Sequence, residues 1–189
     1  MTTKIKAAEH LDEIELNKLL KYLLKSENWT YYILVKLGIS TALRYSDLSR
    51  ITWEDVMNKE TLVLKERKTG KTREIPIGKE LQDTLQLVHR KLGNPKVEKQ
   101  IIPLTIRGVN KQLKIIAERC GLKSKRLSTH SFRKSFGREV WKRNNYSEAA
   151  LIKLSYLFNH SSTSITRVYL DITREEVSDL YSIQDLFVY

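Results

Sequence analysis

The chain has 189 residues, 41% of them hydrophobic, which is enough for one domain with a sizeable buried core. Lysine and arginine number 34 against 22 aspartate and glutamate residues, and the net charge of +12 favours a polyanionic partner, nucleic acid first and an anionic membrane second, over a merely soluble basic surface. The single cysteine, Cys120, excludes an internal disulfide and a cysteine-based zinc site. We expect neither a signal peptide nor a membrane-spanning segment, because the N-terminus is polar and no apolar run is long enough.

Scarce chain breakers indicate a mostly helical protein, because the chain has only seven glycines and three prolines. Leucines on one face of residues 11–26 predict a first amphipathic helix. A second, apolar helix follows and ends near residues 38–40. After it we expect a turn and a short helix capped by Ser46 or Asp47.

The next segment has the pattern of β-structure. Two β-rich runs, Leu62–Glu66 and Thr72–Ile77, flank the basic letters RKTGK, in which Gly70 supplies the turn. We therefore predict an antiparallel β-hairpin with a strongly basic tip.

Helical patterning returns at residue 79 and continues to the C-terminal region. It predicts helices at about residues 79–92, 105–119, 130–142, 147–156, 162–170 and 173–182. The expected fold class is therefore mainly α with a small antiparallel β-hairpin (α+β). We expect a single domain over residues 1–189, since no clear boundary is visible.

Two pairs of polar side chains could carry chemistry, although each pair also has a purely structural explanation. His130 and Arg133 share one face of a helix, yet one His-x-x-Arg is a common coincidence in a chain this rich in arginine. No partner with metal-ligand spacing lies near His130, which disfavours a metal site. Arg44 and Asp47 are typical of a surface ion pair.

Three further residues are equally ambiguous when each is taken alone. Lys68 lies at the hairpin tip, where a lysine is usually solvated or touches phosphate. His160 precedes a Ser/Thr-rich helix cap, and Tyr169 follows nine positions later, as in a capped surface helix with a half-buried tyrosine.

Taken together, these side chains suit the cleavage of a phosphodiester. Two guanidinium groups can hold both non-bridging oxygens and stabilise the charge of a pentacoordinate phosphorane. An ammonium group can protonate the departing 5′-oxygen, and a tyrosine hydroxyl can attack the phosphorus atom. These tasks need no metal, and we expect no cofactor.

The order of these residues along the chain resembles the catalytic domain of tyrosine recombinases, the phage integrase family. Four boxes carry the resemblance, from about residue 11 to residue 181: TALRYSDLSRITWEDV, KERKTGKTREIPI, LSTHSFRKSFG and LFNHSSTSITRVYLDIT. The six matched positions are Arg44, Lys68, His130, Arg133, His160 and Tyr169.

The resemblance implies a role for each matched residue. Tyr169 would attack the scissile phosphate and form a 3′-phosphotyrosyl link, which a 5′-hydroxyl of another strand would then attack. The phosphate would be clamped by Arg44 and Arg133 and hydrogen-bonded by His160. Lys68 would be the general acid and His130 the acid/base partner of Tyr169. Asp47 would support the first arginine and a histidine.

Several positions differ from the family pattern or leave an alternative open. Asn159 stands where the family commonly has glycine, and asparagine tolerates the left-handed backbone conformation. Ala42 and Lys134 also replace usual family residues, and we expect neither to touch a catalytic position. Lys65 and Lys71 lie on the same hairpin as Lys68 and are alternative general acids.

The resemblance also implies partners and a location: double-stranded DNA, self-association into a synaptic tetramer, no membrane, and a bacterial or phage-encoded protein acting on DNA in the cytoplasm. The family's N-terminal DNA-clamping domain is expected to be absent, so the chain is a short stand-alone recombinase or a fragment. The tail, residues 171–189, is expected either to be exchanged between protomers or to pack on its own domain. Two alternatives remain, a type IB topoisomerase and a catalytically silent DNA-binding module of the same fold.

Overall fold

The computed structural model describes residues 8–124 and 126–172. Two compact units make up the chain, residues 1–136 and residues 137–189. This division does not test whether the chain folds as one domain, which stays a prediction. The helix predicted at about residues 173–182 and nearly all of the predicted tail lie outside the described residues.

Helices dominate the first unit, as the sequence predicts. They are α1 (Glu13–Lys25), α2 (Trp29–Thr41), α3 (Tyr45–Leu48), α4 (Lys79–Lys91), α5 (Ile106–Arg119) and the first half of α6 (Thr129–Arg143). Side chains cap four of them, because Asp12, Asn28, Thr105 and Ser128 each accept a hydrogen bond from a backbone N–H of the first turn.

The predicted hairpin is present, which confirms the mainly α fold class with a small antiparallel sheet. β1 (Thr61–Lys65) pairs with β2 (Thr72–Pro76), and Leu62 lies opposite Ile75. Both of these side chains are buried, whereas the connecting residues 67, 68, 70 and 71 are exposed. Gly70 has φ +68°, a left-handed conformation that glycine adopts without steric cost.

The core of the first unit fixes the position of α6. Leu34 and Leu37 of α2 are buried together with Phe132 of α6 and Trp53 of the segment after α3. A Cβ atom on Gly38 would lie 2.9 Å from the Cβ of Phe132, so α2 and α6 approach closely only because residue 38 is glycine. This packing sets the helix face that carries His130 and Arg133.

The second unit contains the end of α6, α7 (Glu148–Phe158) and α8 (Thr163–Tyr169). Ser147 caps α7 and Ser162 caps α8. Asn159 ends α7 with φ 52° and ψ 51°, which confirms the left-handed conformation expected of this asparagine. A Cβ on Gly137 would lie 2.9 Å from the ring of Phe158, so this glycine allows close packing on α7.

One local prediction is wrong. The short helix α3 begins after Arg44, and no side chain caps it. Neither Ser46 nor Asp47 serves as its cap, because both residues lie inside the helix. In addition, none of the helices in the described part of the chain is both long enough and apolar enough to cross a membrane.

Candidate active site

The turn between α2 and α3 presents Arg44. Ala42 adopts the left-handed conformation, with φ 52°, and Arg44 follows in an extended conformation at the start of α3. The Arg44 side chain is 16% exposed, and its Nη1 lies 3.5 Å from Oε2 of Glu66. The arginine is therefore held at the hairpin while it keeps part of its surface open.

Asp47 links α3 to the hairpin by a hydrogen bond to the backbone. Its side chain is buried, and Oδ1 accepts a hydrogen bond of 2.9 Å from the backbone N–H of Arg67. Its Oδ2 is also buried and has no hydrogen-bond partner among the described residues. The support of Arg44 and a histidine by Asp47 stays a prediction.

A buried carboxylate, Glu66, lies at the base of the hairpin loop. It accepts hydrogen bonds from Thr69 Oγ1 at 2.8 Å and from Arg73 Nη1 at 3.2 Å, in addition to its contact with Arg44. Burial alone would raise the pKa of Glu66, but the hydrogen bonds from Thr69 and Arg73 and the charges of Arg73 and Arg44 outweigh it and lower the pKa. Glu66 is therefore ionised at neutral pH.

The three lysines considered as proton donors all lie on or beside the hairpin loop. Lys68 is exposed at its apex, Lys65 ends β1, and Lys71 immediately precedes β2. The backbone N–H of Glu66 donates to the carbonyl of Lys71 at 2.9 Å, which closes the loop below Lys68. The choice of Lys68 over Lys65 and Lys71 stays a prediction.

The first turns of α6 carry His130 and Arg133. Arg133 is 3% exposed, and its Nη1 donates to the carbonyl oxygen of Ala42 at 2.5 Å, across 91 positions of the chain. This bond corrects the expectation that Ala42 touches no catalytic position, because its backbone anchors the second predicted arginine. His130 lies beside Arg133 with part of its surface exposed to solvent and part covered by protein.

The positive charges around His130 favour its neutral form. Desolvation first, and then the charges of Arg133, Arg44 and Lys134, lower the pKa of His130 from its ordinary value of 6.5. Lys134 is 3% exposed and lies one helical turn after His130. Lys134 therefore acts on a predicted catalytic side chain through its charge, an effect that was not predicted from the sequence.

The second unit brings His160 and Tyr169 together. The ring centroids of His160 and Tyr169 are 5.3 Å apart, and the ring of Phe158 lies 5.4 Å from each of them. Nδ1 of His160 is hydrogen-bonded to Thr166 Oγ1 at 2.9 Å, which fixes the orientation of the imidazole. The half-buried Tyr169 is the last residue of α8.

Each unit thus assembles part of the predicted set. The first contains Arg44, Asp47, Lys68, His130 and Arg133, and the second contains His160 and Tyr169. Glu66 and Arg73 were missed, because an acid and an arginine in a basic hairpin look like solvated charges. Glu66 has a partner in Arg44, 22 positions away, and Arg73 bonds the Thr41 carbonyl, 32 positions away, which no local pattern reveals.

The described residues are mostly helical, with one antiparallel hairpin and a tyrosine at the end of α8. The chain belongs to the phage integrase family, whose sequence model matches residues 9–176. It is thus a tyrosine recombinase, a class of enzymes that break and rejoin DNA strands.

Curated relatives agree with this family. The chain is 30% identical over 183 residues to the probable integrase/recombinase YoeC of Bacillus subtilis (strain 168), covering 95% of this chain and 94% of that protein. It is 28% identical over 153 residues to the tyrosine recombinase XerD of Listeria innocua, covering 75% of this chain and 50% of XerD. The chain therefore spans about half the length of the Xer recombinases that it matches.

Solved structures share the fold. The XerH site-specific recombinase bound to palindromic difH substrate, in a post-cleavage complex, matches 95% of this chain and 54% of its own, with a TM-score of 0.68 and 19% identity. A lambda integrase (75–356) dimer bound to a COC′ core site matches 90% of this chain and 62% of its own, with a TM-score of 0.64 and 20% identity. At these identities the likeness concerns the fold.

Proposed function

We propose that this protein is a site-specific DNA recombinase that cleaves and rejoins strands through a 3′-phosphotyrosyl intermediate on Tyr169. The observation that carries the proposal is the family match over residues 9–176, within which all six residues expected for this chemistry occur. The ring contact between His160 and Tyr169 and the anchoring of Arg133 support it.

The chemistry proposed for Tyr169 conserves bond energy. Its Oη attacks phosphorus while its proton passes to His130, and the bond from phosphorus to the 5′-oxygen breaks. The departing 5′-oxygen takes a proton from Lys68. A 5′-hydroxyl of another strand then reverses these steps and releases Tyr169, so that neither ATP nor a metal is required.

The two arginines are proposed to clamp the scissile phosphate. Guanidinium groups bind non-bridging oxygens with two hydrogen bonds and stabilise the charge that develops in the transition state. The contacts of Arg44 with Glu66 and of Arg133 with the Ala42 carbonyl restrict both side chains before substrate binds. His160 is proposed to hydrogen-bond the same phosphate, and Asp47 to support the arginine and a histidine.

The partners and the location follow from the family. We propose that the protein acts on double-stranded DNA as a synaptic tetramer in a bacterial cytoplasm, with no part in a membrane. The relatives are bacterial recombinases and integrases, and the solved neighbours include recombinases bound to DNA, one of them a dimer. Exchange of residues 171–189 between protomers and packing of this tail on its own domain both stay predictions.

A suicide DNA substrate with a nick beside the scissile phosphate tests the nucleophile. The wild-type protein is expected to form a covalent DNA adduct, visible by denaturing gel electrophoresis, that is unaffected by EDTA. Tyr169→Phe is expected to bind DNA and form no adduct. Tyr156→Phe is the matched control, because Tyr156 is a 79% exposed tyrosine of α7, and it should react like the wild type. An adduct with Tyr169→Phe would refute the assignment.

The same substrates separate the alternative functions. A recombinase joins strands from two different duplexes, whereas a topoisomerase reseals the original strand and relaxes supercoiled DNA. A catalytically silent module would bind DNA without any adduct. Sequencing of the joined strands therefore identifies which activity the protein has.

A bridging 5′-phosphorothiolate identifies the general acid among the three lysines. A thiolate leaves without protonation, so a variant that lacks the acid recovers its cleavage rate on this substrate. We expect this rescue for Lys68→Ala. Lys65→Ala and Lys71→Ala should cleave ordinary DNA at near wild-type rates. If one of them is rescued instead, that lysine is the general acid.

A further inference from the structure

The hairpin loop contains one buried residue that the proposed chemistry does not use. Glu66 is 3% exposed, whereas its loop neighbours Arg67, Lys68 and Lys71 are exposed. A carboxylate is costly to bury unless charged partners and hydrogen bonds compensate for the lost water. A surface turn does not need such a group, so its burial calls for an explanation beyond the hairpin itself.

Both carboxylate oxygens of Glu66 have partners, and the partners come from different parts of the fold. Oε1 contacts Arg73 Nη1 at 3.2 Å, while Oε2 accepts from Thr69 Oγ1 at 2.8 Å and contacts Arg44 Nη1 at 3.5 Å. Arg73 in turn donates from Nη2 to the carbonyl of Thr41 at 3.2 Å. One carboxylate therefore connects the α2–α3 turn, the strand β2 and the loop.

Glu66 also closes the loop on both sides of Lys68. Its backbone N–H donates to the Lys71 carbonyl, and its own carbonyl accepts from the N–H of Gly70, both at 2.9 Å. Its side chain holds Thr69, the residue directly after Lys68. Loss of the carboxylate would release the hydrogen bond that restrains the chain next to Lys68.

We propose that Glu66 is a positioning residue that holds the loop bearing Lys68 at a fixed position relative to Arg44, so that the proton donor and the phosphate clamp act on one phosphate. The inference rests on the proposed function and deepens it. Glu66 does not touch the substrate in this proposal, and it acts through Lys68 and Arg44. The hydrogen bond to Thr69 is shorter than the contact with Arg44, so we expect the effect through Lys68 to dominate.

The experiment compares Glu66→Gln on ordinary DNA and on DNA with a bridging 5′-phosphorothiolate at the scissile position. Glutamine keeps the size of the side chain but cannot serve two guanidinium groups and a hydroxyl together. We expect cleavage of ordinary DNA to slow by about tenfold or more, part of the ~10²–10⁴-fold that a general acid contributes. On the phosphorothiolate, which needs no general acid, the variant should recover to near the wild-type rate.

Two further variants separate a positioning role from a general loss of structure. Glu74→Gln makes the same charge change at an exposed position of β2 and should leave both rates unchanged. The double variant Glu66→Gln with Lys68→Ala should be no slower than Lys68→Ala alone, since residues that act through one another are not additive. If Glu66→Gln fails to fold, Thr69→Val leaves the carboxylate in place, removes the 2.8 Å hydrogen bond to it together with a longer one of 3.3 Å from the Lys71 N–H, and should show the same rescue.

Equal slowing of Glu66→Gln on both substrates would overturn the proposal, and so would an unchanged rate on ordinary DNA. Rescue of a lysine variant other than Lys68→Ala would overturn it as well. Different results would refute the proposed function, namely the absence of any wild-type adduct or the formation of an adduct by Tyr169→Phe. The two failures are therefore distinguishable.

Discussion

Desolvation first, and then the charges of neighbouring residues, lower the pKa of His130 and favour its neutral form. Arg133, Arg44 and Lys134 all place positive charge near the imidazole, and charge of the same sign disfavours the protonated ring. A proton acceptor for a tyrosine hydroxyl must be unprotonated, so the environment suits the proposed role. The same positive charges would also attract the phosphate of a substrate.

We predict that His130 titrates below 6.5 and that Lys134→Met raises its pKa, because the substitution removes one positive charge and keeps the apolar stem. NMR titration of the histidine Cε1 protons measures both values, and His130→Gln assigns the signal. An unchanged midpoint in Lys134→Met would contradict this electrostatic account.

The lowered pKa also makes stability depend on pH. The unfolded chain binds a proton at His130 more readily than the folded chain does, so this contribution to stability is fully present above about pH 6.5 and is lost as the pH falls through the folded pKa. The free energy of unfolding, measured by denaturant titration at several pH values, should fall less steeply over this range in His130→Gln.

Asn159 ends α7 in a left-handed conformation between Phe158 and His160. We predict that Asn159→Ala lowers the free energy of unfolding by about 1 kcal/mol, because alanine lacks the short polar side chain that lets asparagine tolerate this conformation, whereas Asn159→Gly, which removes the Cβ, should be neutral or stabilising. Asn17→Ala, the same change at an exposed position within α1, should cost nothing. Denaturant unfolding measures all three, and equal losses for both alanine variants would exclude the backbone explanation.

At the scale of elements, α5 presents a basic face. Val109, Leu113 and Ile116 are buried, while Arg107, Lys111 and Lys114 are exposed one or two turns apart on the other side. This spacing places three cations along one line of the helix, as in a surface that follows a phosphate backbone.

We predict that Lys111→Ser and Lys114→Ser each weaken DNA binding for all sequences. Each lost phosphate contact should reduce the slope of log Kd against log salt concentration by about 1. Binding titrations at several salt concentrations measure the slope. Lys21→Ser, an exposed lysine of α1, should leave it unchanged, and an equal change there would show that α5 has no special part in binding.

The elements themselves were largely predictable from the sequence. Apolar periodicity located α1, α2 and α4–α8 to within a few residues, and Gly70 located the hairpin turn. The predicted cap of α3 was wrong, since the Asp47 side chain accepts a hydrogen bond from the backbone of Arg67 in the hairpin and not from the first turn of its own helix. A helix cap is recognised from residues that are close in sequence. This hydrogen bond joins residues 20 positions apart, so the local sequence does not reveal it.

At the scale of the whole molecule, the boundary between the two units falls inside α6, between Phe136 and Gly137. The sequence predicts six catalytic residues because the family boxes occur in order along the chain, and their roles stay predictions. The contacts that hold them were not readable, since Glu66 with Arg44 and Ala42 with Arg133 join distant segments through burial and backbone geometry.

We predict that Gly137→Ala impairs the second unit. The added Cβ would lie 2.8 Å from Leu170 and 2.9 Å from the Phe158 ring, which in turn contacts His160 and Tyr169. Overpacking of this kind costs about 1–3 kcal/mol. Denaturant unfolding should show the loss, and adduct formation should slow while DNA binding persists. Gly78→Ala, where a Cβ meets no atom within 4 Å, is the control.

The hairpin has a consequence for solubility. Its sheet has two strands in the described part of the chain, so each strand has one edge whose N–H and C=O groups face outward. Such edges invite pairing with other chains, and proline and charged side chains discourage it. Pro76 lacks an N–H, and Lys65 and Lys71 place like charges at the tip. Whatever their part in proton transfer, we expect these lysines to disfavour edge-to-edge association of the hairpin in concentrated protein.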